Sequence, residues 1–357
     1  MDADEFYQMK KCIQPGYVKD FRCDGKICEA RCCRDWRIVV DDDAFEKYSN
    51  LPDAAREKVF ENLDWVEDEQ EDVDVLILKL REDGVCSFLG KDNLCRLQKR
   101  YGEDYLTAIC QSYPRVTYRL DEEIFEQSMT LTCPIAAHLI LFPTTPMTFE
   151  ETQEVSARAI IGFKQKLSRP VDEFINLQMD AIKILQDRNL PVNQRLKKLC
   201  AKFEKLPKYK FDIERHTAAL IEVFANTYSA NLSQNKKLEL RQNYLTYRDE
   251  ILNRTYGAFG HIFENYLVNE FFMRCYPSAF SGGDFHNIKI FVTGFKILEF
   301  ALVLTVIAKK KLNLDEVVTL IYSVNDMLDH SRGGMDAIVD FAKTCDAKKF
   351  AELMLED

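Results

Sequence analysis

The spacing of the cysteines constrains this chain more than any other feature. Of 12 cysteines, most fall in one stretch of the N-terminal part. They are Cys23, Cys28, Cys32, Cys33, Cys86, Cys95, Cys110 and Cys133. Thiols this dense favour a metal site over packing, because a reduced thiolate is a soft ligand for zinc or for the iron of an iron–sulfur cluster. We therefore predict that these eight cysteines form a metal-binding domain, and the alternative is that they are ordinary buried residues.

The spacing also bears on which metal is bound. Structural zinc sites usually carry paired C-x2-C motifs, and this chain has none. Cys133 is followed at once by Pro134, as in one well-known iron–sulfur pattern in which proline follows the last cysteine. We therefore favour an iron–sulfur cluster of the 4Fe-4S type, and zinc is the alternative. The isolated cysteines are predicted to be packing residues: Cys12, Cys200, Cys275 and Cys345.

Composition narrows the class of protein and the partners. With 357 residues and 46% hydrophobic side chains, the chain can bury a large core, and its 13 Gly and 10 Pro favour long helices. A net charge of −10 argues against nucleic acid as a partner and suits a cationic group such as a lysine side chain. The first residues, MDADEFYQMKKC, lack the pattern of a secretory signal.

The most apolar run, 297–308, has about 12 residues, whereas a membrane span needs ~20. We expect a cytoplasmic protein that is not bound to a membrane. In the cytoplasm, clustered thiols bind metal more often than they form disulfides.

The predicted fold class is mainly α. Residues 1–145 form an irregular, cysteine-rich domain with short strands, and residues 146–357 form an α-helical domain. Strands are predicted at 73–80, 115–120 and 124–130, and the acidic stretch 64–74 is predicted to be a solvated loop. Helices are predicted at 41–48, 53–63, 94–101, 103–111, 134–142, 148–166, 170–187, 192–205, 214–231, 238–253, 258–275, 289–309, 314–329 and 334–354. No strand is followed by a glycine-rich turn and a helix, so we expect no Rossmann sheet.

Several motifs carry a resemblance to a known family. The N-terminal part reads FRCDGKICEARCCRDWRI at 21–38, CSFL at 86–89, LCRLQK at 94–99, CQSYPR at 110–115 and LTCP at 131–134; the C-terminal part reads ENYL at 264–267 and DHS at 329–331. These motifs resemble the flagellin lysine-N-methylase family over most of the chain. The cysteine-rich part is also similar to a wider group of small cysteine-cluster proteins that bind zinc or iron.

The resemblance implies S-adenosylmethionine-dependent methylation of lysine ε-amino groups on flagellin. The chain has neither a G-x-G-x-x-G motif after a strand nor the C-x3-C-x2-C loop of radical S-adenosylmethionine enzymes. A different scaffold must therefore hold that cofactor.

The chemistry of methylation suggests candidate residues. A lysine amine, with a pKa of ~10.4, must lose its proton before it attacks a sulfonium methyl group. Aromatic faces stabilise the cations, and an arginine holds a carboxylate. Our catalytic candidates are Tyr266, Glu264 and His330, and our cofactor-binding candidates are Tyr113, Arg115 and Asn265. The catalytic candidates also have structural explanations, as a core residue, a solvated carboxylate and a helix-end residue, respectively.

Two other functions remain open. One is a non-enzymatic protein-interaction module stabilised by zinc, and the other is a redox or metal-transfer protein. Absorption near ~400 nm in anaerobically purified protein would indicate an iron–sulfur cluster, and stoichiometric zinc would favour the interaction module.

Overall fold

The chain forms two compact units. The structure, a computed structural model, describes residues 11–24, 28, 31–34, 36–68, 73–153, 161–162, 167–330 and 333–356. Residues 1–10, which bear on the secretory-signal prediction, lie outside that part. The cysteine-rich unit comprises Met1–Gln14, Val18–Ile135 and Glu150–Gly162. The helical unit comprises Pro15–Tyr17, Ala136–Phe149 and Phe163–Asp357.

Short strands and short helices build the cysteine-rich unit. The strands are β1 (Lys11–Pro15), β2 (Leu63–Asp68), β3 (Val73–Leu78), β4 (Arg115–Arg119), β5 (Ile124–Met129), β6 (Phe149–Thr152) and β7 (Ile161–Gly162). The helices are α1 (Asp42–Ser49), α2 (Asp53–Phe60), α3 (Arg96–Tyr101) and α4 (Ala108–Ser112), and α5 (Pro134–Leu141) begins at the end of this unit. Single 3₁₀ turns lie at Gly16–Asp20, Arg31–Cys33 and Glu103–Tyr105.

Five strands form one sheet in the order β6-β1-β5-β4-β7. The antiparallel β4–β5 hairpin confirms the strands predicted on either side of residues 121–123. Asp121 sets the turn, because its side chain accepts the backbone N–H of Glu123 at 2.8 Å and of Ile124 at 2.7 Å. The β1 strand, which was not predicted, pairs in parallel with β5.

The predicted helix over 148–166 is wrong. Phe149–Thr152 and Ile161–Gly162 are strands at the two edges of the sheet, and residues 154–160 and 163–166 lie outside the described residues. The β7 strand pairs with β4 through Tyr118 and Ile161. Pairing with strands far away in the sequence overrides local helix propensity here, and propensity alone does not reveal such partners.

The acidic stretch 64–74 is a β-hairpin rather than a loop. The antiparallel strands β2 and β3 pair from Leu63 opposite Leu78 to Asp68 opposite Val73, and residues 69–72 lie outside the described part. Buried Leu63, Leu76 and Leu78 anchor the base of this hairpin in the core of the unit. The prediction failed because it rested on the many carboxylates of this stretch. The buried leucines at the base hold both strands in place in spite of those charges.

Helices make up nearly all of the described helical unit. After α5 they are α6 (Val171–Leu185), α7 (Val192–Phe203), α8 (Ile213–Thr227), α9 (Gln234–Met273), α10 (Asp284–Lys309), α11 (Leu314–His330), α12 (Gly334–Lys343) and α13 (Ala347–Met354). The helices predicted at 238–253 and 258–275 form the single helix α9, with a kink at Phe259, where φ is −133° and ψ is 24°. The helix predicted at 334–354 is two helices, because Asp346 caps α13 by accepting the Lys349 N–H at 2.8 Å.

The helix α10 lies in the core, as predicted for its apolar run. By length and composition it could cross a membrane, but 78% of its most apolar window is buried inside the protein. The charged residues in its middle are buried and have partners: Lys296 Nζ lies 2.7 Å from Glu299 Oε2, and Lys289 Nζ donates to the Ala342 carbonyl at 2.6 Å. Within the described ranges there is no Rossmann-like sheet. The mainly α fold class is therefore confirmed.

Candidate metal and cofactor site

All of the cysteines predicted to bind metal lie on the wall of one cavity in the cysteine-rich unit. The cavity has a volume of about 490 Å³. It is lined by Cys23, Cys28, Cys32, Cys33, Cys86, Cys95, Cys110 and Cys133. These residues come from segments up to 110 positions apart, so the tertiary fold gathers them. The cavity is far larger than the ~10–15 Å³ that one water needs, so it has room for more than a single ion.

A tight turn brings Cys86 and Cys95 together, as their spacing predicted. The Gly90 N–H donates to the Leu94 carbonyl at 2.9 Å, and Leu89 bridges to Cys95 in antiparallel fashion. A Cβ atom at position 90 would lie 2.7 Å from Asp92 Oδ1 and 3.1 Å from the Leu94 carbonyl oxygen. Only glycine fits there without a shift of its neighbours.

Backbone amides near this pair favour the thiolate form of both cysteines. The N–H groups of Phe88 and Leu89 act to lower the pKa of Cys86, and those of Leu97 and Gln98, in the first turn of α3, act to lower the pKa of Cys95. Burial nevertheless raises the pKa of both thiols. N–H donors stabilise a thiolate, the form in which cysteine binds metal.

Backbone and capping bonds hold two further cysteines at the cavity. The Cys86 N–H donates to the Cys33 carbonyl at 2.8 Å, which ties the Arg31–Cys33 turn to the Cys86 segment. Cys110 lies on α4, where Thr107 is the N-cap and its Oγ1 accepts the Cys110 N–H at 3.3 Å. Asp41 Oδ1 accepts from Ala44 at 3.1 Å while Oδ2 accepts from Ala108 at 2.7 Å, so one carboxylate caps both α1 and α4.

The thiols affect one another electrostatically. The pKa of Cys23 is raised to about 11 and that of Cys110 to about 12, chiefly because the thiols lose hydration and in part because of neighbouring thiolates, Cys32 among them. A hydrogen bond between the Cys32 and Cys33 side chains lowers the pKa of Cys32 and raises that of Cys33. The thiols are therefore close enough to repel as anions, and a bound cation would relieve this repulsion and release their protons.

The donor set fits a thiolate-bound metal, although the thiols do not form a closed coordination shell. Among the described residues, no three His, Cys, Asp or Glu side chains have the geometry to hold a metal ion. The eight cysteines line a shared cavity instead.

Tyr113 and Arg115, both cofactor-binding candidates, lie on the wall of the same cavity. The Tyr113 ring meets the Trp36 ring edge to face, with centroids 5.1 Å apart, and its hydroxyl lies 3.1 Å from Thr132 Oγ1. Arg115 Cζ lies 5.1 Å from the centre of the Phe21 ring. The sequence analysis did not include Trp36 and Phe21 among its candidates, although both lie within the cysteine motif.

Arg115 has unused hydrogen-bonding capacity. Its Nε is buried and has no hydrogen-bond partner among the described residues. Burial lowers the pKa of the guanidinium, because the charged form loses hydration. A buried donor without a partner is costly, and on the wall of a cavity it marks a position where an anionic group of a ligand would be favoured.

Tyr266 faces a small pocket in the helical unit. The pocket, of about 20 Å³, is also lined by Glu270, Arg274, Tyr276 and Phe291. Arg274 Nε lies 2.8 Å from Glu270 Oε2. Glu270 Oε1 is buried and has no hydrogen-bond partner in the described part of the chain, and burial raises the pKa of both Glu270 and Tyr266. Glu270 and Arg274 were missed as candidates, although successive steps of four from Tyr266 place all three on one helix face.

The adjacent candidates on α9 point elsewhere, since neighbouring residues on a helix face different directions. Arg188 donates to both oxygens of the buried Glu264 carboxylate, at 2.8–3.1 Å, and Arg195 NH1 donates to Oε2 at 3.0 Å. Asn265 Nδ2 donates to the Pro143 carbonyl at 2.8 Å. His330 ends α11, and its side chain lies outside the described part. The catalytic and cofactor-binding roles stay predictions.

Fold and site together define a mainly α protein with a thiol-lined cavity in one unit and a helical second unit. Comparison with known proteins shows which family the chain resembles. Residues 225–355, within the helical unit, match the model of the FliB lysine N-methylase C-terminal domain. The resemblance to the flagellin lysine-N-methylase family, predicted from the motifs, is confirmed.

This chain covers different shares of the length of its individual relatives. The chain is 27% identical over 159 residues, 42% of its own length, to the flagellar biosynthetic protein FliU of Salmonella muenchen, of which it covers 87%. It is 30% identical over 149 residues, 39% of its length, to a lysine-N-methylase of Salmonella choleraesuis strain SC-B67. A lysine-N-methylase of Salmonella typhimurium strain LT2 is 29% identical over 149 residues, also 39% of this chain. The chain spans about a third of each of these two enzymes, 34%. No solved structure matches it.

Proposed function

We propose that this protein is a methyltransferase that transfers methyl groups from S-adenosylmethionine to lysine ε-amino groups on flagellin. Two relatives are named lysine-N-methylase and a third is named a flagellar biosynthetic protein. The names support lysine methylation and a flagellar substrate. The cofactor and flagellin itself are proposed from the motifs and from the chemistry of the cavity. We also propose the cytoplasm as its location, because its free thiols persist in a reducing compartment.

The cysteine-lined cavity is the observation that carries this proposal. Its volume lies in the range of ~300–1,000 Å³ that is usual for ligand sites. The Arg115 guanidinium, whose buried Nε has no hydrogen-bond partner among the described residues, suits the carboxylate of S-adenosylmethionine, and the Tyr113 and Trp36 rings suit its sulfonium. The same cavity therefore offers an anion site and aromatic faces beside its thiols.

We further propose that the cavity holds an iron–sulfur cluster, with zinc as the alternative. Cys86, Cys95 and Cys110 are the first candidates to hold it, because the Gly90–Leu94 turn positions the first two and the Thr107 cap positions the third. Such a cluster would supply a redox-active centre, and its binding energy would contribute to folding. The remaining cavity cysteines would complete the donor set.

Methyl transfer requires a neutral amine. The amine lone pair attacks the methyl carbon, the carbon–sulfur bond breaks with its electrons going to sulfur, and the amine proton passes to a base or to water. We propose Tyr266 as the first catalytic candidate in the helical unit, with Glu270 on the same face, whose Oε1 has no hydrogen-bond partner in the described part of the chain while its Oε2 pairs with Arg274. Glu264 is a weaker candidate, because two arginines already bind its carboxylate.

A direct assay tests the proposal. Purified, metal-replete protein is incubated with S-adenosylmethionine and flagellin, and mass spectrometry should find added methyl groups on surface lysines. Arg115→Gln should weaken S-adenosylmethionine binding measured by calorimetry, while Arg119→Gln, four residues along the same strand, should not. Flagellin without added methyl groups would overturn the enzyme and favour a zinc-stabilised interaction module. Equal cofactor affinity in the two variants would remove the cofactor from this cavity.

A further inference from the structure

The β2–β3 hairpin, which we name the acidic hairpin, has an extreme charge. Residues 61–74 contain eight Asp and Glu and no Lys or Arg, in a chain whose net charge is −10. In the described part, Glu67 and Asp74 lie directly opposite each other and both are exposed. Like charges opposite each other destabilise a strand pair, so the hairpin carries an internal repulsion that a cation would relieve.

An exposed tryptophan lies beside this pair of carboxylates. Trp65 is 66% exposed. It lies two residues before Glu67 on β2 and opposite Leu76, which lies two residues after Asp74, so all three side chains project from one face of the hairpin. An aromatic face with adjacent carboxylates attracts an ammonium or guanidinium group. Tryptophan is also the residue type most often found at the centre of binding interfaces.

The base of the hairpin is anchored. The Val40 N–H donates to the Leu76 carbonyl at 2.8 Å, and the Leu78 N–H donates to the Ile38 carbonyl at 2.9 Å, so a chain segment flanks β3. The β2 strand is left as the outer strand. Charges on an outer strand also prevent aggregation, but an exposed tryptophan works against that purpose. Carboxylates and tryptophan together fit recognition of a cation better than simple protection of an edge.

We propose that the acidic hairpin docks a lysine-bearing segment of the protein substrate. The Trp65 ring covers a lysine side chain, while Glu67 and Asp74 pair with its ammonium group or with neighbouring basic residues. That the docked segment belongs to the methylation substrate rests on the proposed function. That the segment is basic follows from the negative charge of the hairpin. Docking at such a surface would select a protein substrate by exposed lysines and not by a short sequence motif.

Trp65 provides the readout for a binding test on the intact chain. The only other tryptophan is Trp36, in the cysteine cavity. A short peptide in which lysine alternates with serine is titrated at low salt without cofactor, beside a peptide with glutamine in place of lysine. The lysine peptide should change the tryptophan emission of the wild-type protein but not that of Trp65→Phe. An equal change in both proteins, or an equal response to the glutamine peptide, would overturn the proposal.

A double variant in which two carboxylates become neutral amides tests their part in binding. Glu67→Gln with Asp74→Asn should weaken peptide binding by about threefold to tenfold, and it should melt no lower than wild type because the repulsion is gone. The matched control is Glu46→Gln with Glu57→Gln, which removes two exposed charges elsewhere in this unit and should leave binding unchanged. Equal binding in the two double variants would show that the carboxylates only protect the strand edge.

The experiments distinguish a failure of the docking surface from a failure of the proposed methyltransferase function. A lysine peptide that binds through Trp65 but is never methylated supports the docking surface and overturns the enzyme. With flagellin as substrate, the hairpin double variant should raise the apparent KM by a similar factor, whereas the control double variant should not. Flagellin methylation with an unchanged KM would overturn the docking surface alone.

Discussion

Replacing Glu264 tests whether a predicted catalytic carboxylate supports structure or chemistry. In Glu264→Ala, Arg195 stays buried and keeps its hydrogen bonds to the Leu185 and Leu190 carbonyls but loses its counter-ion. Breaking a buried pair costs about 3–5 kcal/mol. Arg188 is 42% exposed, so water can solvate its released charge. We therefore expect the lower end, about 3 kcal/mol of lost stability.

Urea unfolding of the intact chain, followed by far-ultraviolet circular dichroism, measures this loss. With a denaturant slope of about 1–3 kcal/mol/M, the midpoint should fall by about 1 M or more. Glu264→Gln keeps one acceptor oxygen and should fall between wild type and Glu264→Ala. Glu222→Ala is the control, because it breaks an exposed pair with Lys237 and should cost less than about 1 kcal/mol.

The result that refutes this reasoning is a Glu264→Ala midpoint equal to that of Glu222→Ala. If such a stable variant also lost methyl transfer, Glu264 would act in the chemistry as the sequence motif first suggested. A lowered midpoint would instead show that Glu264 is a structural residue.

Three further predictions follow from the buried groups. Cys110→Ser and Cys133→Ser should each lower the metal content measured by plasma mass spectrometry, whereas Cys200→Ser should not; full metal in all three would contradict the thiol site. Burial lowers the pKa of His216 to about 3, so the unfolded chain binds its proton first and stability should fall as pH drops from about 6.5 towards 3, by about 2 kcal/mol between pH 6.5 and 5. His216→Gln should flatten this dependence in urea titrations, and an unchanged slope would contradict it. Tyr266→Ala should lower methyl transfer more than Tyr266→Phe if the ring face matters, and both should lower it equally if the hydroxyl is required; turnover at the wild-type rate in both would exclude Tyr266.

Local signals predicted the parts of the fold whose partners lie close in sequence. The β4–β5 hairpin follows from alternating residues around Asp121, and the Cys86–Cys95 turn follows from Gly90 and its neighbours. The strands β1, β6 and β7 depend on partners up to a hundred residues or more away, so propensity missed them. The kink at Phe259 interrupts a helix without any proline, which made one helix look like two.

In the candidate site too, local sequence predicted some residues and missed those whose role depends on the tertiary fold. Cysteine spacing predicted the set that lines the cavity, and Tyr113 and Arg115 were found because they follow Cys110 closely. Glu270 was missed, because a carboxylate one turn after Tyr266 looks like an ordinary surface residue until its burial is known. Glu264 and Asn265 were grouped with Tyr266 by sequence adjacency, whereas the helix turns them towards other partners.

The double cap made by Asp41 has a consequence for the order in which the thiols assemble. Its bond to Ala44 is local and forms with α1, while its bond to Ala108 joins residues 67 positions apart. Closing a long loop costs more chain entropy than closing a short one, so the second bond forms later. Cys86 and Cys95 meet through a local turn, whereas the helix that carries Cys110 is fully capped only after the long loop closes. An ion captured during synthesis would therefore meet two sulfur atoms before the third arrives.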